Sequence, residues 1–103
     1  PIVCVDDEYI VEQAAAIPVA QRAQCIVAFE ERNAIGSGDA VDTDVVEPVI
    51  AHIREQFSPR AVLYGGSVDA SNIETYCEIS DGVLVGSASL DPKQFARLVQ
   101  RGQ

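Results

Sequence analysis

Three segments of this chain combine glycine and serine as an anion site requires, and a carboxylate opens the first of them. Glu30-Glu31-Arg32-Asn33-Ala34-Ile35-Gly36-Ser37-Gly38 follows one short apolar run, and Tyr64-Gly65-Gly66-Ser67-Val68 follows another. Gly82-Val83-Leu84-Val85-Gly86-Ser87-Ala88-Ser89-Leu90 spans a further run and the loop after it. Glycine lets backbone N–H groups approach an anion closely, and serine adds a hydroxyl donor. Taken singly, each segment reads more readily as a turn without a ligand. Three of them at the same ends of neighbouring parallel strands point to a binding site, because ligands of α/β folds bind at those ends.

The elements that must position these loops are legible in the apolar pattern. Ile2–Val5, Cys25–Phe29, Ala61–Tyr64 and Val83–Val85 are continuous apolar runs, as expected of parallel strands covered on both faces. Ile10, Val11, Ala14 and Ala15 recur at helical spacing, and Val45, Val46, Val49, Ile50 and Ile53 form a clearer stripe. Pro48 fits this stripe if the helix begins near Asp44 or later, which leaves the proline in its first turn. Ser71-Asn72-Ile73-Glu74 has the form of a capping box, opening a helix that buries Ile73, Tyr76 and Cys77. Asp91-Pro92-Lys93-Gln94 places a cap before a proline at the first helical position, with Leu90 and Phe95 spaced as a hydrophobic staple. Phe95, Leu98 and Val99 then continue a buried face. Strand and helix alternate four times, which predicts an α/β fold with a parallel sheet. Periodicity alone leaves open whether that sheet is half of a barrel or a small open one.

Composition narrows the functions available. With 103 residues the chain is a single domain, 1–103, and it is short for a closed α/β barrel of about 250 residues. A hydrophobic share of 48% supports a packed core. The net charge of −9 argues against a nucleic-acid partner and is read as acidic side chains on solvated helix faces. No apolar run approaches the ~20 residues of a membrane span, so no membrane association is expected. Cys4, Cys25 and Cys77 lack metal-ligand spacing, and His52 is the only histidine, so no metal and no cofactor is expected. The cysteines read as small buried hydrophobes of a reduced, cytoplasmic protein. Pro1 fits either removal of a start methionine or a piece of something longer.

The three loops together resemble the triosephosphate isomerase family. Its members carry Tyr-Glu-Pro-Val-Trp-Ala-Ile-Gly-Thr-Gly, then Tyr-Gly-Gly-Ser-Val, then Gly-x-Leu-Val-Gly-Gly-Ala-Ser-Leu, and this chain shows all three in that order. The first strand, Ile2-Val3-Cys4-Val5, resembles the family's fifth, so nearly the whole chain is similar to the second half of the family's barrel. The resemblance implies half of a TIM (β/α)8 barrel, with four parallel strands alternating with helices. It implies Glu30 as the catalytic base, and Gly36, Ser67, Gly86 and Ser87 as binders of a substrate phosphate. Tyr64 falls on the tyrosine that latches the family's lid, and Arg54 and Asp81 fall on a structural ion pair. Ser87 stands where the family has a second glycine. Its amide can serve only if the backbone there does not need φ > 0.

Departures from the pattern bear on activity. Glu31-Arg32-Asn33 replaces the family's Pro-Val-Trp, and Cys4-Val5-Asp6-Asp7 replaces Cys-x-Gly-Glu. The stretch from Asp6 to Gln24 is short. The family's reaction also needs a lysine and a histidine from the other half of the barrel, and Lys93 and His52 match neither motif. The resemblance therefore implies a half barrel without turnover on its own. Four barrel strands leave two open edges and an uncovered inner face, which a second chain must cover. The partner is expected to be a second copy in a homodimer, or else a complementary N-terminal half. Three readings follow: a triosephosphate isomerase-like half that acts on a small phosphorylated ligand when complemented, a catalytically silent, homodimeric anion-binding module, or a fragment with no selected function.

Overall fold

The computed structural model describes residues 1–31 and 40–103. Its strands are β1 (Ile2–Val5), β2 (Ile26–Glu30), β3 (Ala61–Gly66) and β4 (Gly82–Val85). They form one parallel sheet in the order β1-β2-β3-β4. Helices α1 (Ile10–Ala15) and α2 (Val19–Arg22) lie between β1 and β2, and α3 (Thr43–Phe57) precedes β3. Helix α4 (Ile73–Ile79) joins β3 to β4, and α5 (Pro92–Arg101) follows β4. Alternating parallel strands and helices are the arrangement expected of half a barrel, and α2 is an addition to the expected pattern.

Successive strand residues point to opposite faces. One set, Val5, Val27, Phe29, Val62 and Tyr64, is buried in a single core with Ile10 and Ala14 of α1. Val46, Ile50, Ile53 and Phe57 of α3 join it, with Ile73 and Tyr76 of α4 and Leu98 of α5. Each large side chain fully buried here stabilises the fold by about 1.5–3 kcal/mol. The other set lies in rows across the sheet. Cys4, Ala28, Leu63 and Gly82 form one row, and Glu30, Gly65 and Leu84 form the next. No helix among the described residues covers this inner face, and Ile2 there is 56% exposed.

The bare face corrects two expectations. Cys25 is buried and Cys77 half-buried, but Cys4 is exposed because its strand position points it inward, away from the helices. On α5 only Leu98 is buried, while Phe95 and Val99 are 41% and 43% exposed and Leu90 83%. That helix flanks the open β4 edge and packs against α4 on one side only, so its apolar stripe is half covered and no buried staple forms.

Helix ends show how local sequence sets the elements. Asp42 caps α3 by accepting from the Asp44 N–H at 2.8 Å. Asp91 caps α5 by accepting from the N–H groups of Lys93 and Gln94, with Pro92 in the first turn. The Ser71 box does not form. Ser71 turns its hydroxyl and its N–H to the Asp69 carboxylate, and Asn72 occupies the cap position of α4 without a capping bond. Helix α3 begins at Thr43, which puts Pro48 beyond the first turn, on the exposed side of the helix. At the other end of α3, Ser58 adopts φ 45°, the one positive φ at a non-glycine among the described residues.

Asp81 joins the amino-terminal side of β3 to the entry of β4. Its carboxylate accepts from the Val62 N–H at 2.8 Å and from Arg54 Nη1 at 2.9 Å, so the expected ion pair is present. The Val62 hydrogen bond, then Arg54, hold this carboxyl below the usual aspartate range against the opposing effect of burial.

Two stability measurements check these points. Urea unfolding of Ser58→Gly is expected to show a gain of about 1 kcal/mol, because glycine removes the left-handed strain; a loss would contradict that account. Asp81→Ala is expected to cost about 1–3 kcal/mol by stranding the Val62 N–H. Arg54→Ala should cost only about 0–1 kcal/mol, since the pair is surface-exposed. A depressed folded pKa makes the Asp81 contribution complete above the ordinary aspartate range and lost as pH falls through the folded value. Equal effects of the two variants, or an Asp81 contribution that grows in acid, would refute this assignment.

Candidate active site

Glu30 ends β2 with its side chain on the inner face, half-buried, directly across from Gly65. The carboxylate arm lies over that glycine. A Cβ added to Gly65 would stand 2.9 Å from Glu30 Cγ and 3.4 Å from Oε1, so the lack of a side chain there gives Glu30 its position. Gly66 serves the opposite face. A Cβ on it would collide with the Tyr64 hydroxyl and ring. The Gly65-Gly66 pair therefore makes room for one functional side chain on each side of the sheet.

Beyond these residues the strand ends open into a cavity of about 350 Å³ lined by Glu30, Gly66, Ser67, Leu84, Gly86 and Ser87. Glu30 and the Gly/Ser loops after β3 and β4 thus face one space, as expected of a site at the carboxyl ends of parallel strands. Ser67 belongs to a tight turn in which Val68 N–H donates to Gly66 C=O at 3.0 Å, and Asn72 Nδ2 donates to Ser67 C=O at 2.9 Å. The loop after β4 is held by Ser89, whose hydroxyl donates to Gly86 C=O at 2.7 Å. Ser87 opens a short 3-10 turn, Ser87–Ser89, without a positive φ. A glycine is therefore not required there, and the Ser87 amide is compatible with the role expected of it. Gly36 lies outside the described residues.

Tyr64 sits elsewhere. It is fully buried on the outer face, where its hydroxyl accepts from the Val41 N–H at 3.0 Å. Tyr76 stacks on it, ring centroids 4.2 Å apart and 15° from parallel, and its own hydroxyl donates to Val41 C=O. Burial, then Tyr64, then Asp42, push the Tyr76 phenol up to about 12. Sequence reading took Tyr76 only as a core residue of α4. Its hydroxyl, which needs a partner when buried, is the feature that could have drawn more attention.

Cys4 was also read too narrowly. It shares the inner face with Glu30 and hydrogen-bonds to it; burial first, then the Glu30 charge and that bond, push the thiol up. A neutral thiol thus stands as donor beside the carboxylate. Around the strand ends the local charge is negative. The Asp7 carboxyl is pushed up by burial, then by Glu31, Asp6 and Glu8. None of the described residues lining the cavity is a lysine or an arginine. His52 is half-buried in the middle of α3 and Lys93 is exposed in the first turn of α5; neither lines the cavity.

The arrangement supplies a carboxylate able to take a proton, beside polar loops suited to an anion, and no lysine, arginine or histidine among the described lining residues. Residues 1–102 match the family model for triosephosphate isomerase. Among curated relatives, the triosephosphate isomerase of Wolbachia pipientis wMel is 34% identical over 98% of this chain and 47% of its own length. That of Chlamydia felis is 42% identical over 77% of this chain and 35% of its own. That of a Synechocystis strain is 46% identical over 72% and 32%. The chain thus spans half or less of the length of these relatives. A family match along nearly the whole chain, together with the half-barrel sheet, shows that this protein belongs to the triosephosphate isomerase family.

Proposed function

We propose that this chain is the half of a triosephosphate isomerase that holds the phosphate and supplies the base, and that it turns over only when the other half is provided. The observation that carries the reading is the shared cavity. Glu30, Ser67, Gly86 and Ser87 come from three strand ends and face one space. In this reading Ser67 and the amides near Gly86 and Ser87 bind the phosphate of a triose phosphate, with Gly36 assigned to the same role. Glu30 then takes a proton from the carbon next to the carbonyl and returns it to the neighbouring carbon. The overall reaction interconverts dihydroxyacetone phosphate and glyceraldehyde 3-phosphate, a step of glycolysis and gluconeogenesis, in the cytoplasm.

Taking that proton leaves negative charge on the carbonyl oxygen, which must be met by a hydrogen-bond donor or a cation. Nothing lining the described cavity supplies one, and Lys93 and His52 lie away from it. The isolated chain is therefore assigned binding without turnover. A complementary half bringing a lysine and a histidine to the same end would complete both the barrel and the reaction. Tyr64 is assigned the latch role through its bond to Val41. A second reading, a silent homodimeric anion-binding module, is favoured by the bare inner face: Ile2 and Cys4 are exposed, and another copy could cover them.

Calorimetric titration with inorganic phosphate tests the pocket. Ser67→Ala is expected to weaken binding roughly 2–10-fold, the worth of one hydrogen bond. Gly65→Ala should leave phosphate affinity unchanged but lower turnover of the complemented enzyme, because it displaces only Glu30. Unaltered affinity in Ser67→Ala would remove the pocket from the account.

Sedimentation tests the partner. At micromolar concentration the chain is expected to run as a dimer, or as a one-to-one complex once a complementary half is added. A monodisperse monomer in both experiments would contradict the requirement for a partner.

A further inference from the structure

Val41 stands immediately before the Asp42 cap of α3 and packs against the core. Both of its backbone polar groups are taken by aromatic hydroxyls. Its N–H donates to Tyr64 at 3.0 Å, and its C=O accepts from Tyr76. The two rings are stacked at 4.2 Å, so neither hydroxyl can shift far without moving the other ring. Tyr64 comes from β3 and Tyr76 from α4. The pair therefore joins three parts of the fold at one residue.

We propose that Tyr76 is a positioning residue of the site, the second arm of a two-tyrosine clamp that fixes Val41 and, through Tyr64, the Gly65–Ser67 end of β3. Transmission is steric. The Tyr64 hydroxyl occupies the place of a Cβ on Gly66, and Gly66 lines the cavity next to Ser67. A tyrosine held by a single bond could tilt under Gly66 and carry the turn at Ser67 with it. Two bonds to one residue, in a stacked pair, remove that freedom. Phenylalanine at 76 would fill the same space and keep the stack, so packing alone does not account for the hydroxyl. The raised pKa of Tyr76 is consistent with this, because the phenol remains a donor throughout the neutral range.

The inference deepens the reading of the cavity as a phosphate site, and the experiment separates the two. Amide hydrogen exchange at Val41 and phosphate affinity are measured by NMR for the wild type, Tyr76→Phe, Tyr64→Phe and the double variant. Tyr76→Phe is expected to speed Val41 exchange roughly five- to tenfold while the Val27 and Val62 amides stay protected. It should also weaken inorganic phosphate by roughly threefold. The double variant should match Tyr64→Phe at Val41, because both hydroxyls hold the same residue. Unchanged Val41 exchange in Tyr76→Phe, or effects of the two variants that simply multiply, would overturn the clamp. A wild type that fails to bind phosphate would instead sink the pocket reading and the coupling to it. Should Tyr76→Phe not fold, the wild-type spectrum decides: the clamp requires a slowly exchanging Tyr76 hydroxyl proton, and rapid exchange contradicts it.

Discussion

The two-residue alternation of four parallel strands is the constraint on which the rest depends. It sends Val27, Phe29, Val62 and Tyr64 outward into the helix layer and leaves Cys4, Glu30, Gly65 and Leu84 on the inner face. The same pleat that buries the core thus sets out the chemistry. A one-residue slip of β2 against β3 would exchange the two sets, burying Glu30 among apolar side chains and exposing Phe29. The register is held at the amino-terminal side by Asp81, which grips the Val62 N–H and Arg54 together. At the carboxyl side it is held by the close fit of Glu30 over Gly65.

Much of this was legible in the residues. Apolar runs gave the strands to within one or two positions, and the Asp91-Pro92 cap and the Arg54–Asp81 pair appear as expected. What was hidden depends on which side of an element the described helices leave uncovered. Phe95 and Val99 have the spacing of a buried stripe, yet lie exposed because nothing among the described residues covers that side of α5. Cys4 is apolar enough to pass for core, and only the register shows that it shares a face with Glu30. Ser71 has the pattern of a cap, but the nearer Asp69 carboxylate competes for its hydroxyl and wins. Tyr76 signalled only that its buried hydroxyl needs a partner; which partner was hidden, because Val41 is 35 residues away.

Electrostatics define what the described residues around Glu30 lack. Glu30 has Glu31, Asp6 and Asp7 as acidic neighbours at the strand ends, and the lining of the described cavity offers no cation. Hydrogen-bond donors of the Gly/Ser loops can orient a phosphate, but neutralising a dianion beside these carboxylates calls for positive charge that the described lining does not hold. The covering of the bare face and the supply of that charge are therefore one requirement in the proposed scheme. A complementary half with a cation at the carboxyl ends of its strands meets both, whereas a second copy meets the first and adds more acid.

Division of labour between the two halves is the central claim, and turnover tests it most directly. Isomerisation of dihydroxyacetone phosphate is followed for the chain alone, for the chain with the amino-terminal half of a family member, and for that mixture carrying Glu30→Gln. The account predicts no turnover alone, turnover in the mixture, and a loss of about 10²–10⁴-fold in the variant mixture. Turnover by the isolated chain, or a complemented activity indifferent to Glu30, would contradict it.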